Sequence, residues 1–323
     1  MRRDLHNIHI IWSFPYYITF LPRILICWTL VFTMAFTATV MSIGVKDFKT
    51  FSGPRRWFMK LVLQHLSKGI GTALGFQFKH QRATHADYSE YLGPDWKPEW
   101  DRPVTLVSNH VSFLDICFII YWKFPVFVAA VRARNIPGVG AVTDALDTIY
   151  FERLGDNAKE SRKQVMDKIG NYQRELAAGK AKNSLVIYPE GSTTNGKYLQ
   201  SFRRGAFNAL LEVQPYIWDY QDCGTVPEMT TVDPTTGAFM ACCSPPRGVA
   251  MHTLLPIFTP NEYFWKHHWE PNKDKEDKVA TYTRVVREIF LKYGNFEDAN
   301  DVICYDRFDA IKAITKTQKI TRE

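Results

Sequence analysis

Several things are scarce or missing in this chain of 323 residues, and each absence removes a class of function. The six cysteines, Cys27, Cys117, Cys223, Cys242, Cys243 and Cys304, form no Cys-x-x-Cys pair. That excludes a disulfide scaffold and a thiolate zinc site, and leaves reduced thiols in a chain facing the cytosol. The adjacent Cys242 and Cys243 are expected to be buried thiols rather than lipid attachment points. There is no Gly-x-Ser-x-Gly elbow, so a serine hydrolase working through an acyl-enzyme is excluded. No His-Glu-x-x-His occurs, and His267-His268 has no companion ligands at zinc spacing, so no metal is expected. The pair of glycines in Gly69-Ile70-Gly71 sits in an amphipathic helical stretch, not after a strand, and is not a dinucleotide loop. No internal repeat is visible.

What is present is apolar content and a modest excess of cations. Hydrophobic residues make up 46% of the chain, enough to fill the core of one large domain with a small appendage. Forty Lys and Arg against 33 Asp and Glu leave a formal charge of +7, which suits an anionic membrane surface, a phosphorylated ligand or nucleic acid. Nucleic acid is not expected, because the cations gather near the N-terminal apolar segment and the candidate site instead of interleaving with exposed aromatics.

The N-terminus points to a bilayer. Residues 24–45 run for 22 positions without a charge, long enough to cross a hydrocarbon core of roughly 30 Å. The preceding apolar stretch, residues 9–21, is shorter and carries Pro15, with Pro22 just after it; it reads as the second arm of a membrane hairpin or as an interfacial helix. The run is too long for the apolar core of a cleaved signal peptide and no clean cleavage site follows it. Lys46, Lys49, Arg55, Arg56 and Lys60 outnumber Arg2, Arg3 and Arg23, which favours a cytoplasmic main domain. Next, Trp57, Phe58, Leu61, Val62, Leu66, Ile70 and Leu74 recur at helical spacing among Lys60, His65 and Lys68. That stripe predicts an amphipathic helix, either lying on the membrane surface or facing the core.

From Val104 onward short apolar runs alternate with helical stretches. The strands are expected at 104–107, 126–131, 147–151, 184–187, 211–218 and 252–258, and the helices at 113–121, 139–146, 157–177, 202–210 and 275–292. Such alternation predicts an α/β fold with a mostly parallel central sheet flanked by helices, behind an N-terminal membrane-anchoring helical segment. The expected domains are a membrane anchor over residues 1–50, an amphipathic helix and linker over 51–100, the catalytic domain over 101–306 and a polar tail over 307–323. Residues 221–248, rich in Thr, Pro and Gly, read as a long loop.

Two constellations carry chemistry. The first is Ser108-Asn109-His110-Val111-Ser112-Phe113-Leu114-Asp115. Residues five apart on a continuous helix are displaced by about 140°, so His110 and Asp115 meet only at a break, which the change from strand to helix supplies. From that turn the ring can fold onto Asp115, which fixes its tautomer and leaves the other nitrogen as a base. Equally, Ser108, Asn109 or Ser112 can cap the helix with Asp115 answering its dipole. The second comes about 80 residues later, where an apolar strand runs into Tyr188-Pro189-Glu190-Gly191-Ser192-Thr193-Thr194. Strand ends in open α/β sheets are where ligands bind, Gly191 lets a ligand approach the backbone, and N–H groups of this turn can face an oxyanion or phosphate. Arg203 and Arg204 then offer two cations, suited to a phosphate or set as an ordinary solvated pair.

Together these motifs resemble blocks I and III of the phospholipid/glycerol acyltransferases, Asn-His-x4-Asp followed by Phe/Tyr-Pro-Glu-Gly-Thr. Ile149-Tyr150-Phe151-Glu152-Arg153 resembles the block between them, whose arginine contacts the acceptor phosphate in that family, and Val213-Gln214-Pro215-Tyr216 resembles the fourth. The likeness runs from about Pro103 to Tyr220. The stretch from Tyr188 to Phe207, and His252 to Pro260 after it, resembles the lysophosphatidylcholine and microsomal glycerol-3-phosphate acyltransferase branch. Two departures matter: a threonine follows Glu190-Gly191-Ser192 where lysophosphatidic acid acyltransferases have an arginine, and no Asp-x-Asp-x-Asp-Gly calcium loop occurs.

The resemblance implies transfer of a fatty acyl chain from acyl-CoA, a co-substrate and not a bound cofactor, to the free hydroxyl of a lysophospholipid. His110 and Asp115 would be base and orienter. Arg153, Glu190, Gly191, Ser192 and Thr193 would form the acceptor site, with Arg203 and Arg204 as further phosphate contacts and Asn109, Ser112 and Pro189 as support. The expected partners are acyl-CoA, the glycerol-based acceptor and the lipid bilayer, and the expected location is the endoplasmic reticulum membrane with the catalytic domain facing the cytosol. Two other functions fit the sequence: a glycerol-3-phosphate or lysophosphatidic acid acyltransferase, and a silent lipid-binding membrane scaffold.

Overall fold

Strands buried on both faces read as unbroken apolar runs, and the runs predicted above do assemble into one sheet. The computed structural model describes residues 10–48, 51–152, 158–221, 241–242 and 246–300. Strands β1 (Phe76–Arg82), β2 (Thr105–Ser108), β3 (Val126–Ala130), β4 (Ile149–Phe151), β5 (Leu185–Ile187), β7 (Val213–Gln221) and β8 (Gly248–Leu254) lie in the order β1-β8-β7-β2-β5-β3-β4. Neighbours pair in parallel except β7 with β8. Two short strands, β6 (Tyr198–Gln200) and β9 (Glu297–Ala299), pair separately. The parallel pairings need crossovers. These are supplied by α4 (Phe113–Lys123) between β2 and β3, α5 (Val139–Ala145) between β3 and β4, and α6 (Ala158–Ala177) between β4 and β5.

Helices cover both faces. On β2 the alternation is visible within two residues: Leu106 joins the core under the N-terminal helices and α4, Val107 the core under α6 and the helix Lys278–Tyr293. The first layer contains α1 (Ile10–Met41) and α2 (Pro54–Ala73), packed on each other, with α2 against α4 and α1 against α5; a short helix, α3 (Ser89–Leu92), follows β1. Gly71 of α2 sets the closest approach to α4, because a Cβ there would lie 2.4 Å from the Phe118 ring.

Residues 10–21 form neither a separate hairpin arm nor a separate interfacial helix. One helix runs from Ile10 through Pro15 and Pro22 to Met41, since a proline removes one hydrogen bond without always ending a long apolar helix. Residues 18–41 are long and apolar enough to cross a membrane. One side of α1 is nevertheless claimed by the domain. Arg23 donates to Ala73 O and Cys242 O, Ser67 Oγ meets Met34 Sδ, and Arg55 donates to the carbonyls of Met41 and Ile43. The opposite side leaves Leu25, Ile26, Phe32 and Phe36 exposed. One face of α2 packs on the core, with Met59, Leu63, Ser67 and Ile70 buried, while Trp57, Phe58 and Leu61 are exposed.

Other expectations are revised. No helix forms over 202–210. Phe202, Ala206 and Phe207 are buried at helix-like spacing, but only a 3-10 turn, Arg204–Ala206, forms. Leu210, at φ 54°, then swings the chain into β7. The strand expected at 252–258 starts at Gly248 and ends at Leu254, before Pro256. Strands β1, β6 and β9 were not foreseen; β1 pairs with β8 over seven residues, so the sheet begins well before residue 101. Of the expected loop, 222–240 lies outside the described residues, as does the tail 307–323.

Candidate active site

The fold brings the two motifs together because their strands are neighbours. β2 and β5 are parallel with Val107 opposite Ile187, so both chains leave the sheet at the same end. There the turns Asn109–Ser112 and Tyr188–Thr194 face each other. The backbone of His110 is held on both sides by the second turn: its N–H donates to Glu190 Oε1 at 3.2 Å and its carbonyl accepts from Thr194 N–H at 2.8 Å. On the other flank Asn109, 1% exposed, donates from Nδ2 to Trp218 O and accepts from Trp218 N–H, at 3.0 and 2.8 Å. A strand-like pair of bonds thus pins the turn to β7.

Asp115 both caps the helix and contacts the His110 ring. Ser112 is the N-cap of α4, its hydroxyl accepting from Leu114 N–H, and Asp115 closes the capping box through Ser112 N–H. The same Oδ2 accepts from Val111 N–H at 2.7 Å and lies 2.8 Å from His110 Nδ1. Asp115 Oδ1 accepts from the Tyr220 hydroxyl at 2.5 Å. The acid is fully buried, whereas the imidazole retains 15% exposure. With Nδ1 engaged, the ring presents Nε2 to an incoming group. Tyr188 stacks on the imidazole with ring centroids 4.0 Å apart and 18° between planes.

Glu190, expected among the acceptor ligands, instead serves the turn. Its oxygens accept backbone N–H groups of His110 and Gln200, at 3.2 and 3.1 Å, and it is 3% exposed. Burial pushes its carboxyl up to about 8, against the two amide donors and Arg287, which pull it down. Gly191 adopts φ 71° and packs so closely that a Cβ would lie 2.4 Å from Arg203 Nε. Its amide, expected to face an anion, donates to Tyr188 O, as Thr194's does to His110 O. Ser192 donates from its hydroxyl to Gln200 Oε1 at 3.2 Å, and Pro189 O accepts from Arg203 N–H.

The two cations separate. Arg203 lies against the Gly191 turn, whereas Arg204 is turned to the surface and pairs with Asp277 at 2.6 Å. The second is therefore removed from the candidate site: successive side chains on this extended-to-3-10 segment point in different directions. Arg153 lies outside the described residues. Tyr188, Tyr220 and Gln200 were missed as contributors. Tyr188 stands in the second motif itself, period 2 along β7 puts Trp218 and Tyr220 on one face, and nothing in the sequence marks Gln200.

Comparison with known proteins agrees with this geometry. Residues 84–219 match the Acyltransferase family, and 197 residues are 30% identical to lysophospholipid acyltransferase LPEAT1 of Arabidopsis thaliana, covering 61% of this chain and 46% of that one. Over this region the chain is similar to the phospholipid/glycerol acyltransferases. Further relatives are lysophospholipid acyltransferase LPCAT4 of Xenopus tropicalis, 29% identical over 51% of this chain and 28% of that one, and lysophosphatidylcholine acyltransferase 1 of Danio rerio, 23% identical over 73% and 40%. The chain thus spans less than half the length of these relatives. The crystal structure of the 1-acyl-sn-glycerophosphate (LPA) acyltransferase PlsC from Thermotoga maritima has the same fold, with TM-score 0.52 and 17% identity over 87% of this chain and 97% of that one.

Proposed function

We propose that the protein transfers a fatty acyl chain from acyl-CoA to the free hydroxyl of a lysophospholipid at a membrane surface. The observation that carries this reading is the His110–Asp115 pair, a largely buried base with one edge still exposed, held 2.8 Å from a fully buried acid at the strand ends where ligands collect in such sheets. His110 Nε2 takes the proton of the acceptor hydroxyl as its oxygen attacks the thioester carbonyl. Asp115 steadies the imidazolium that forms, and that proton then leaves with the coenzyme A thiolate as the tetrahedral intermediate collapses. No covalent enzyme intermediate is required.

The remaining residues build the walls. Glu190 and Asn109 hold the His110 turn from either side, and Ser192, Thr193 and Arg203 line the second turn, where the acceptor phosphate would sit; Arg153 is assigned to the same phosphate by the motif resemblance alone. The exposed apolar side of α1 and the Trp57, Phe58 and Leu61 face of α2 meet the bilayer, with Arg55, Lys60 and Lys68 at its headgroups. The thiols and flanking cations favour the cytosolic side of the endoplasmic reticulum. Lysophospholipid is favoured over lysophosphatidic acid because a threonine follows Glu190-Gly191-Ser192 where the latter enzymes have an arginine.

The test is transfer of labelled acyl groups from acyl-CoA to a panel of lysophosphatidylcholine, lysophosphatidylethanolamine, lysophosphatidic acid and glycerol-3-phosphate, using membranes carrying the protein. Preferred acylation of the headgroup-bearing lysophospholipids is expected. Preference for either of the last two moves the enzyme to de novo glycerolipid synthesis, and no transfer to any acceptor leaves a lipid-binding scaffold.

A further inference from the structure

The two oxygens of Asp115 are engaged differently. Oδ2 serves the turn and the imidazole, with His110 Nδ1 and the amides of Val111 and Ser112 all within 2.9 Å. Oδ1 faces inward, where Tyr220 donates its phenolic O–H at 2.5 Å from 105 positions further along the chain. The hydroxyl and the carboxylate are both enclosed, and the tyrosine ring is set edge-on to Phe76 at 5.8 Å between centroids. Burial, and then the adjacent Asp115 charge, hold the phenol well above its ordinary range, so it stays a donor throughout the working pH range.

The strand makes this contact part of the site's construction. β7 lies beside β2 with Tyr216 opposite Ser108; Trp218, two residues on, bonds Asn109 through its backbone, and Tyr220, two further, reaches Asp115. One strand therefore braces both the turn that carries His110 and the acid that orients it. Asp115 alone can rotate about its terminal torsion, which is broad; a donor on each oxygen fixes the carboxylate plane.

We propose that Tyr220 is a positioning residue of the dyad: its hydroxyl locks the Asp115 carboxylate so that Oδ2 meets the imidazole, and by drawing charge toward Oδ1 it sets how tightly the pair holds its proton. The inference rests on the acyl-transfer reading for its effect on rate, though not for its effect on the dyad itself.

Tyr220→Phe in the full chain tests it, because phenylalanine keeps the ring and its packing on Phe76. Without the phenol, Asp115 concentrates its charge on the imidazole, or takes up a proton itself at low pH; in either case more alkaline conditions are needed to free the base. The expected result is a kcat about 3- to 30-fold lower with KM for both substrates within about two-fold. The acid limb of the kcat/KM profile should move up by about half to one pH unit. Placing 3-fluorotyrosine at position 220 strengthens the donor without altering the packing and moves the limb down. Tyr282→Phe, which removes an equally buried hydroxyl bonded to Leu211 O away from the dyad, leaves the limb in place. A limb that stays put in both Tyr220 variants overturns the proposal and reduces the hydroxyl to core packing. Nitrogen-15 titration of the His110 ring in the wild-type and variant proteins gives the same comparison without turnover. A shifted titration in a protein that transfers no acyl chain overturns the functional reading and leaves the role of Tyr220 standing, while an unshifted titration overturns the role alone.

Discussion

Replacing Asp115 by asparagine separates the two jobs that one carboxylate performs. Four donors converge on it: His110 Nδ1, the amides of Val111 and Ser112, and the Tyr220 hydroxyl. An asparagine can set its carbonyl oxygen at the Oδ2 position, keeping three of them, and turn its NH2 toward Tyr220, whose hydroxyl can rotate to accept. The capping box and the tautomer of His110 then survive, and what is lost is charge. Hydrogen bonds to a charged group exceed neutral ones by about 1 kcal/mol each, part of which is recovered by no longer burying an anion. A stability loss of about 1–2 kcal/mol follows, or roughly 2–6 °C in melting temperature. For the reaction, an imidazolium about 4 Å from a carboxylate is stabilised by about 4 kcal/mol at an effective dielectric of 20, which corresponds to about 10³-fold in rate. Initial rates followed by release of the coenzyme A thiol, beside a thermal melt, measure both quantities. A folded Asp115→Asn protein within ten-fold of wild-type activity would refute the reasoning and leave Asp115 a helix cap only.

Three further outcomes follow from the surrounding geometry. The Glu190 carboxyl sits at about 8 in the fold against an ordinary 4.5, so the folded state binds the extra proton; stability is fully present below about 4.5, falls as pH rises toward 8, and the fall flattens in Glu190→Gln, as denaturant midpoints across that window will reveal. Gly191→Ala forces a positive φ on a side chain and drives its Cβ into Arg203; a destabilisation of about 1–3 kcal/mol is expected, with a raised KM for the phosphorylated acceptor and little change for acyl-CoA. Arg204→Ala removes only an exposed pair with Asp277, and transfer rates should match wild type, since such pairs contribute little.

Much of this was legible in the sequence wherever a local pattern and a three-dimensional role coincide. The parallel core strands are continuous apolar runs because both their faces are covered, and the α4 start is written as Ser112 and Asp115 at capping-box spacing. The His110–Asp115 contact was readable because it is local and spans a strand-to-helix break. Contacts between distant segments were not. Tyr220 and Asp115 are 105 positions apart, and nothing near Tyr220 signals a partner. β1 was hidden because only Phe76 and Phe78 of its seven residues are apolar, although its burial does alternate, and its pairing with β8 depends on the whole sheet. Residues 202–210 misled because Phe202, Ala206 and Phe207 imitate one helical face while packing from a turn. Glu190 entered the acceptor site only through the motif resemblance; its oxygens satisfy the His110 and Gln200 amides, which the meeting of two turns would otherwise bury without partners.

The account rests on His110 as the proton acceptor from the attacking hydroxyl. Its most direct test is the single-turnover rate of a correctly folded His110→Ala protein with saturating acyl-CoA and the best lysophospholipid of the panel. A fall of about 10²- to 10⁴-fold with acyl-CoA binding retained is predicted. A rate equal to the wild type's would contradict the central claim.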